Sequence, residues 1–188
     1  MPFRNTKRAW GSLSKALHWL IVLLIINQWL IAERAEDLTG FQKFTALNWH
    51  KWFGMTIFML AIVRLVWRIA NPVPDLTAET RPWERVLARV SHFLLYALIF
   101  AMPLTGWIMD SGYKDAATHP MFLYGLFEWP RIGFIMHLDP PVRDRVHDLF
   151  GEAHELISWL VYALFALHVA GALKHQMEGH KELQRMLP

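Results

Sequence analysis

Four apolar runs constrain this chain more than any other feature: Ser14 to Ala32, about Ala46 to Ile69, about Val90 to Met109, and about Glu152 to Leu173. At about 1.5 Å per residue each can cross the ~30 Å hydrocarbon core of a bilayer. Lipid offers backbone amides no hydrogen-bond partner, so runs of this length cross as helices. Composition agrees, because 54% apolar and only 19% charged residues in 188 describe a chain too apolar for an ordinary water-soluble domain. Ten Trp and twelve Phe suit the membrane interface, where amphipathic rings collect. The expected fold is all-α, an integral membrane four-helix bundle forming a single domain over 1–188. Its helices span about 14–32, 46–69, 90–109 and 152–173, with a long outer loop over 110–151. The first run carries His18, Asn27 and Gln28 and has no small-residue cleavage site before Glu33, so it is expected to stay attached.

Basic residues set the orientation, since positively charged loops stay on the cytoplasmic side. With the N-terminus inside, segments 1–15, 64–89 and 174–188 hold twelve of the 19 Lys and Arg, against seven in the slightly longer outer segments. Both termini are therefore expected in the cytoplasm, and the chain in a bacterial inner membrane. The run Asn71-Pro72-Val73-Pro74-Asp75 ends the second helix in an inner turn, because proline cannot continue it. In the outer loop, Phe122 to Trp129 and Ile132 to Leu138 read as short surface helices facing lipid or a cofactor.

The chain has no cysteine, which excludes disulfides, cysteine-held iron–sulfur clusters, covalent haem attachment through Cys-x-x-Cys-His, and thiolate-ligated haem. Any metal must sit on nitrogen or oxygen. No Gly-rich phosphate loop is present, and lipid rather than nucleic acid is the expected partner.

Histidine at membrane depth is costly and marks function. His18 lies one turn inside the inner face on the first helix, and His50 one turn inside the outer face on the second. On the fourth helix His154 is near the outer start and His168 near the inner end, giving two pairs matched by depth: His18 with His168, and His50 with His154. Fourteen residues leave His154 and His168 about 40° apart in azimuth and ~21 Å apart along the axis, so both can face one interior. A lone transmembrane histidine is more often a hydrogen-bonding residue. Four at two matched depths point to two bis-histidine haems. Zinc or di-iron sites are the rival, but they need several ligands at one level, and only Glu152 and Glu155 flank His154. Gly54, Pro103, Gly106 and Gly171 supply low-bulk positions for a flat macrocycle.

Ser14-x-x-x-His18-Trp19-Leu20, Val63-Arg64-Leu65-x-x-Arg68 with Pro72 and Pro74, Ala101-x-Pro103-x-x-Gly106, His154, and Leu167-His168 occur in that order. By this set the chain resembles the bacterial cytochrome b561 family over all four helices, and within it the superoxide-oxidising members. It differs from them in a longer outer loop and in Lys51 after the outer ligand. The resemblance implies two haem b held by His18 with His168 and His50 with His154. It also implies oxidation of superoxide outside, reduction of ubiquinone inside, and a quinone-site proton donor at His175, a residue suited by its chemistry to that role. Related cytochromes instead connect a partner redox subunit, a dehydrogenase, a hydrogenase or a periplasmic cytochrome, to the quinone pool.

Given an anionic substrate, Lys51, Lys114, Arg131, Arg143 and Arg145 are candidates for an attracting outer surface, against six acidic residues in the same loop. Arg64 and Arg68 share a helical face at the inner boundary, where they either pair with haem propionates or meet lipid headgroups. His92 either orients a propionate or the quinone, or is a polar interface residue. His147, His119, His137 and His180 read as surface positions.

Overall fold

The computed structural model describes residues 2–7, 9–74, 81–179 and 182–187. Asp75 of the turn after the second helix and His180 of the tail lie outside the described residues. Four helices are long and apolar enough to cross a membrane: α1 (Ser12–Asp37), α2 (Gly40–Ala70), α3 (Pro82–Ser111) and α5 (Pro140–Met177). A single turn, α4 (Gly133–Met136), lies in the connection between α3 and α5, and a short α6 (Glu182–Met186) follows α5. Proline opens two of the long helices, Pro82 in α3 and Pro140-Pro141 in α5. There the missing N–H costs nothing, because the first turn leaves its amides unpaired anyway.

Apolar side chains face outward as much as inward. Leu23, Val66, Phe93, Leu156 and Leu167 are all more than half exposed, which lipid tolerates and water would not. The chain ends meet at one end of the bundle. Lys15 Nζ donates to the Leu187 carbonyl (2.5 Å) and Trp19 Nε1 to the Met186 carbonyl (2.7 Å). Asn5 Oδ1 accepts from Gly11 N (2.9 Å) and Ser14 Oγ (2.6 Å), doing for the start of α1 what a helix cap does. We call this the terminus end and the opposite one the loop end.

The last long helix starts at Pro140, twelve residues before the apolar run. Residues 140–151 include Arg143, Asp144, Arg145, His147 and Asp148, too many polar groups to join the apolar run, and an apolar run marks depth in hydrocarbon, not the length of a helix. Packing fixes this extension. Gly112, after α3, lies so close to α5 that a Cβ there would sit 3.1 Å from the Arg143 carbonyl oxygen and 3.1 Å from the His147 backbone nitrogen. His147 Nδ1 meets the Met109 carbonyl at 2.8 Å. Gly112→Ala is expected to destabilise the protein by about 1–3 kcal/mol through this backbone clash. A fall in the thermal unfolding midpoint in detergent checks it, and an unchanged midpoint would mean that the two helix ends are not tightly packed.

The connection 112–139 differs from the short helices expected at 122–129. Phe122–Leu123 (β1) and Phe127–Glu128 (β2) form an antiparallel hairpin with Phe122 opposite Glu128 and Leu123 opposite Phe127. Tyr124 (φ 53°) and Gly125 (φ 71°) sit at the centre of its three-residue loop, closed by Leu126 N on the Leu123 carbonyl at 3.0 Å, and their left-handed backbone suits the twist of the strands. The aromatic run gave no sign of that turn beyond Gly125. Met121 and Trp129 bury against Met55 of α2, with Trp52 and Trp107 alongside. Tyr124 Oη lies 2.7 Å from Thr56 Oγ1, so the hairpin laps down the side of α2.

Helices α1 and α2 pack along each other, α3 packs along α5, and α2 touches α3. Helix α5 packs less closely on α1 and α2, meeting α1 through the rings of Trp29 and Tyr162 at 5.9 Å. The result is two helix pairs joined along one edge, with a seam between α5 and the α1–α2 pair.

Candidate functional site

Both histidine pairs bridge this seam. At the loop end His50 of α2 and His154 of α5 have ring centres 6.1 Å apart, with planes at 75°. At the terminus end His18 of α1 and His168 of α5 are 6.4 Å apart, at 68°. A metal bound to nitrogen of two imidazoles at about 2 Å each separates the ring centres by about 6 Å. Among the described residues no group of three or more His, Asp or Glu could hold a metal ion. The multi-ligand zinc or di-iron arrangement therefore has no donor set there.

Space at the loop end suits a flat group. A cleft of about 460 Å³, counting its open mouth, is lined by His50, His154, Gly54, Pro103, Gly106 and Met121, among others. A second, of about 400 Å³, opens on His50 from the α1 side beside Ala32, Ala35 and Leu47. Both clefts reach His50, and the first reaches His154 as well. Gly106 keeps the wall thin: a Cβ there would come within 3.2 Å of His154 Cε1. Nδ1 of His50 is buried with no hydrogen-bond partner, as is Oε1 of Gln28, whose Nε2 donates to the His50 carbonyl at 2.8 Å. An orphaned buried polar atom costs about 1–3 kcal/mol, which a site shaped for something further explains. The residues fit a bis-histidine haem.

At the terminus end both arginines turn inward. Arg64 Nη2 lies 3.0 Å from His18 Nδ1. Arg64 and Arg68 also sit 5.5 Å and 5.4 Å from the ring centre of Tyr96 on α3, within cation–π range. Of the two readings open for these residues, the geometry is that of a bundle interior rather than a headgroup layer. His92 stacks edge-on against His168 at 5.3 Å. His175, two turns further along α5 than His168, has Nδ1 3.8 Å from Glu178 Oε2. Lys174 joins buried Glu84 of α3 (2.7 Å) to Glu178 (2.9 Å).

The loop-end cations fare differently from a free basic surface. Lys51 Nζ is 2.5 Å from Oδ1 of Asp110, and Arg131 Nε is 2.8 Å from its Oδ2. Arg131 also donates to the carbonyls of Ala116 and His119. Asp110 is buried at the mouth of the loop-end cleft, and the trio carries one net positive charge instead of two. Sequence reasoning counted Asp110 only as one acid of a mixed loop. It also passed over Thr105, whose Oγ1 lies 3.0 Å from His154 Nδ1, and Tyr96. Thr105 precedes Gly106 inside a noted motif, but nothing in the motif names its partner 49 residues away.

The description "prokaryotic cytochrome b561" belongs to the family model that matches residues 9–188. "Cytochrome b561 homolog 2" of Escherichia coli (strain K12) is 28% identical over 190 residues, covering 100% of this chain and 95% of that protein. "Probable superoxide oxidase CybB" of Yersinia pestis is 26% identical over 186 residues, with 96% and 97% covered. "Cytochrome b561 homolog 1" of Escherichia coli (strain K12) is 24% identical over 179 residues, with 92% and 93% covered. With four apolar helices and a match over nearly its whole length, this chain belongs to the prokaryotic cytochrome b561 family of haem b-binding, multi-pass electron-transfer proteins of the bacterial inner membrane.

Proposed function

We propose that the chain holds two haem b, one between His50 and His154 and one between His18 and His168. It takes electrons from superoxide at the loop end, outside, and delivers them to ubiquinone at the terminus end, in the cytoplasm. The observation that carries this reading is the pair of 6 Å imidazole gaps at opposite ends of one seam. Two superoxide, one ubiquinone and two protons give two dioxygen and one ubiquinol. Haem b supplies reversible one-electron chemistry at each site.

The chain's own residues do the rest. The imidazoles of His18, His50, His154 and His168 would hold the haem irons through ring nitrogens. A neutral imidazole that gives one nitrogen to iron keeps its hydrogen on the other, so Arg64 must release His18 Nδ1. It is then free, with Arg68, to pair with propionate carboxylates. Lys51, about one-third exposed at the cleft mouth, leaves a single net positive charge with Asp110 and Arg131 to draw an anion in. At the cytoplasmic end His175 donates one of the two protons that ubiquinone takes up on reduction, the other coming from water, and Glu178 beside it is placed to reprotonate His175.

A steady superoxide flux on the oxidised, detergent-purified protein tests this reading. The ferrous α band is expected to grow, to be suppressed by superoxide dismutase, and to bleach again on adding ubiquinone. The initial rate should fall as salt screens the cleft charge. Protein that stays oxidised under this flux while dithionite reduces it would remove the superoxide step. The pairing of Lys51 and Arg131 with Asp110, which halves their charge, favours a second reading in that case, a conduit from a partner redox subunit to quinone.

A further inference from the structure

We infer that Thr105 sets the tautomer of His154 and makes the loop-end haem the harder of the two to reduce; this rests on His154 being a ligand of that haem. Thr105 is buried on α3. Its hydroxyl has one hydrogen and two lone pairs. The hydrogen goes to the Met102 carbonyl, 2.9 Å away. Oγ1 can therefore only accept from His154 Nδ1, at 3.0 Å. That places the ring hydrogen on Nδ1 and leaves Nε2 as the bare, metal-binding nitrogen. Gly106 makes the contact reachable, since a Cβ there would stand 3.4 Å from the same Nδ1.

An acceptor on the far nitrogen raises the basicity of a metal-bound imidazole and holds its plane. A more basic ligand favours the ferric ion, so the loop-end potential is lowered. His50 Nδ1 has no such partner. At the other end Arg64 reaches both His18 and Tyr96, so after releasing His18 Nδ1 its positive charge would still lie beside the terminus-end haem and favour the ferrous ion. Both effects slope the same way, with electrons running downhill from the loop end to the terminus end. Thr105 is thus a positioning residue that acts on the direction of flow through His154.

The test is a redox titration of the holoprotein, haem by haem, for wild type, Thr105→Val and Thr105→Ser, with His154→Ala assigning the loop-end haem. Valine keeps the shape and deletes the acceptor. The loop-end midpoint is expected to rise, with altered low-spin g values, while the other haem is unmoved. Loop-end haem affinity should fall at least about tenfold, the scale for losing a ligand's supporting hydrogen bond. Serine should restore all three. Thr105→Val with wild-type potentials, g values and affinity overturns the inference, as does a loss of both haems that serine fails to rescue. If His154→Ala keeps two haems, the ligand assignment itself falls, a result distinct from either.

Discussion

His154→Ala is expected to lower the haem b content from two per chain to one, measured by pyridine haemochrome on the detergent-purified protein. The remaining haem should keep a low-spin spectrum, because His18 and His168 lie on the other side of about 21 Å of helix and share no contact with the loop-end ring. His168→Ala should spare the loop-end haem in the same way. His147→Ala is the matched control. That ring sits seven residues earlier on α5 but turns to the end of α3, with Nδ1 on the Met109 carbonyl and its face against Tyr113. Two haems retained in His154→Ala, or one lost in His147→Ala, would assign the loop-end ligand wrongly.

Asp110→Ala is expected to be the most destabilising single change at the loop end. It strips the counter-charge from Arg131, whose side chain is only 6% exposed, and from Lys51. Removing one partner of a buried ion pair costs about 3–5 kcal/mol, because the other charge stays out of water. Arg131 keeps the carbonyls of Ala116 and His119, so the loss should appear as loosening of 112–139 before the bundle opens. Limited proteolysis should cut this connection faster, and the thermal midpoint should fall. Asp110→Asn, retaining an acceptor without the charge, should lie between. Wild-type resistance in Asp110→Ala would show that the loop is held by its aromatic contacts on α2 alone.

The Asp110 trio shows where reading along the chain stops. Lys51, Asp110 and Arg131 are 59 and 21 residues apart and share no period. Their charges could be counted from the sequence, but whether they meet depends on how the loop folds over the bundle. The hairpin is a similar case. Phe122 to Trp129 is apolar enough for a surface helix, and the choice of strands came from packing Met121 and Trp129 on Met55. Likewise the polar first turns of α5 leave no trace in a search for apolar runs.

By contrast, what the sequence alone determined lies along one dimension, the depth axis of the membrane. Apolar runs of bilayer length fixed the number of spans, and the position of each histidine within its run fixed its level. In the structure these levels bring His18 to His168 and His50 to His154. Depth transfers from sequence to space because a helix rises by a constant amount per residue and lipid pins its apolar length. Azimuth and lateral approach do not transfer in this way. The seam between α5 and the α1–α2 pair, the hydroxyl of Thr105 on His154, the inward turn of Arg64 and Arg68 onto Tyr96, and the pairing of both cations with Asp110 at the cleft were decided only by the tertiary structure. Each depends on how helices rotate and pack against partners far away in the chain, which no local pattern specifies.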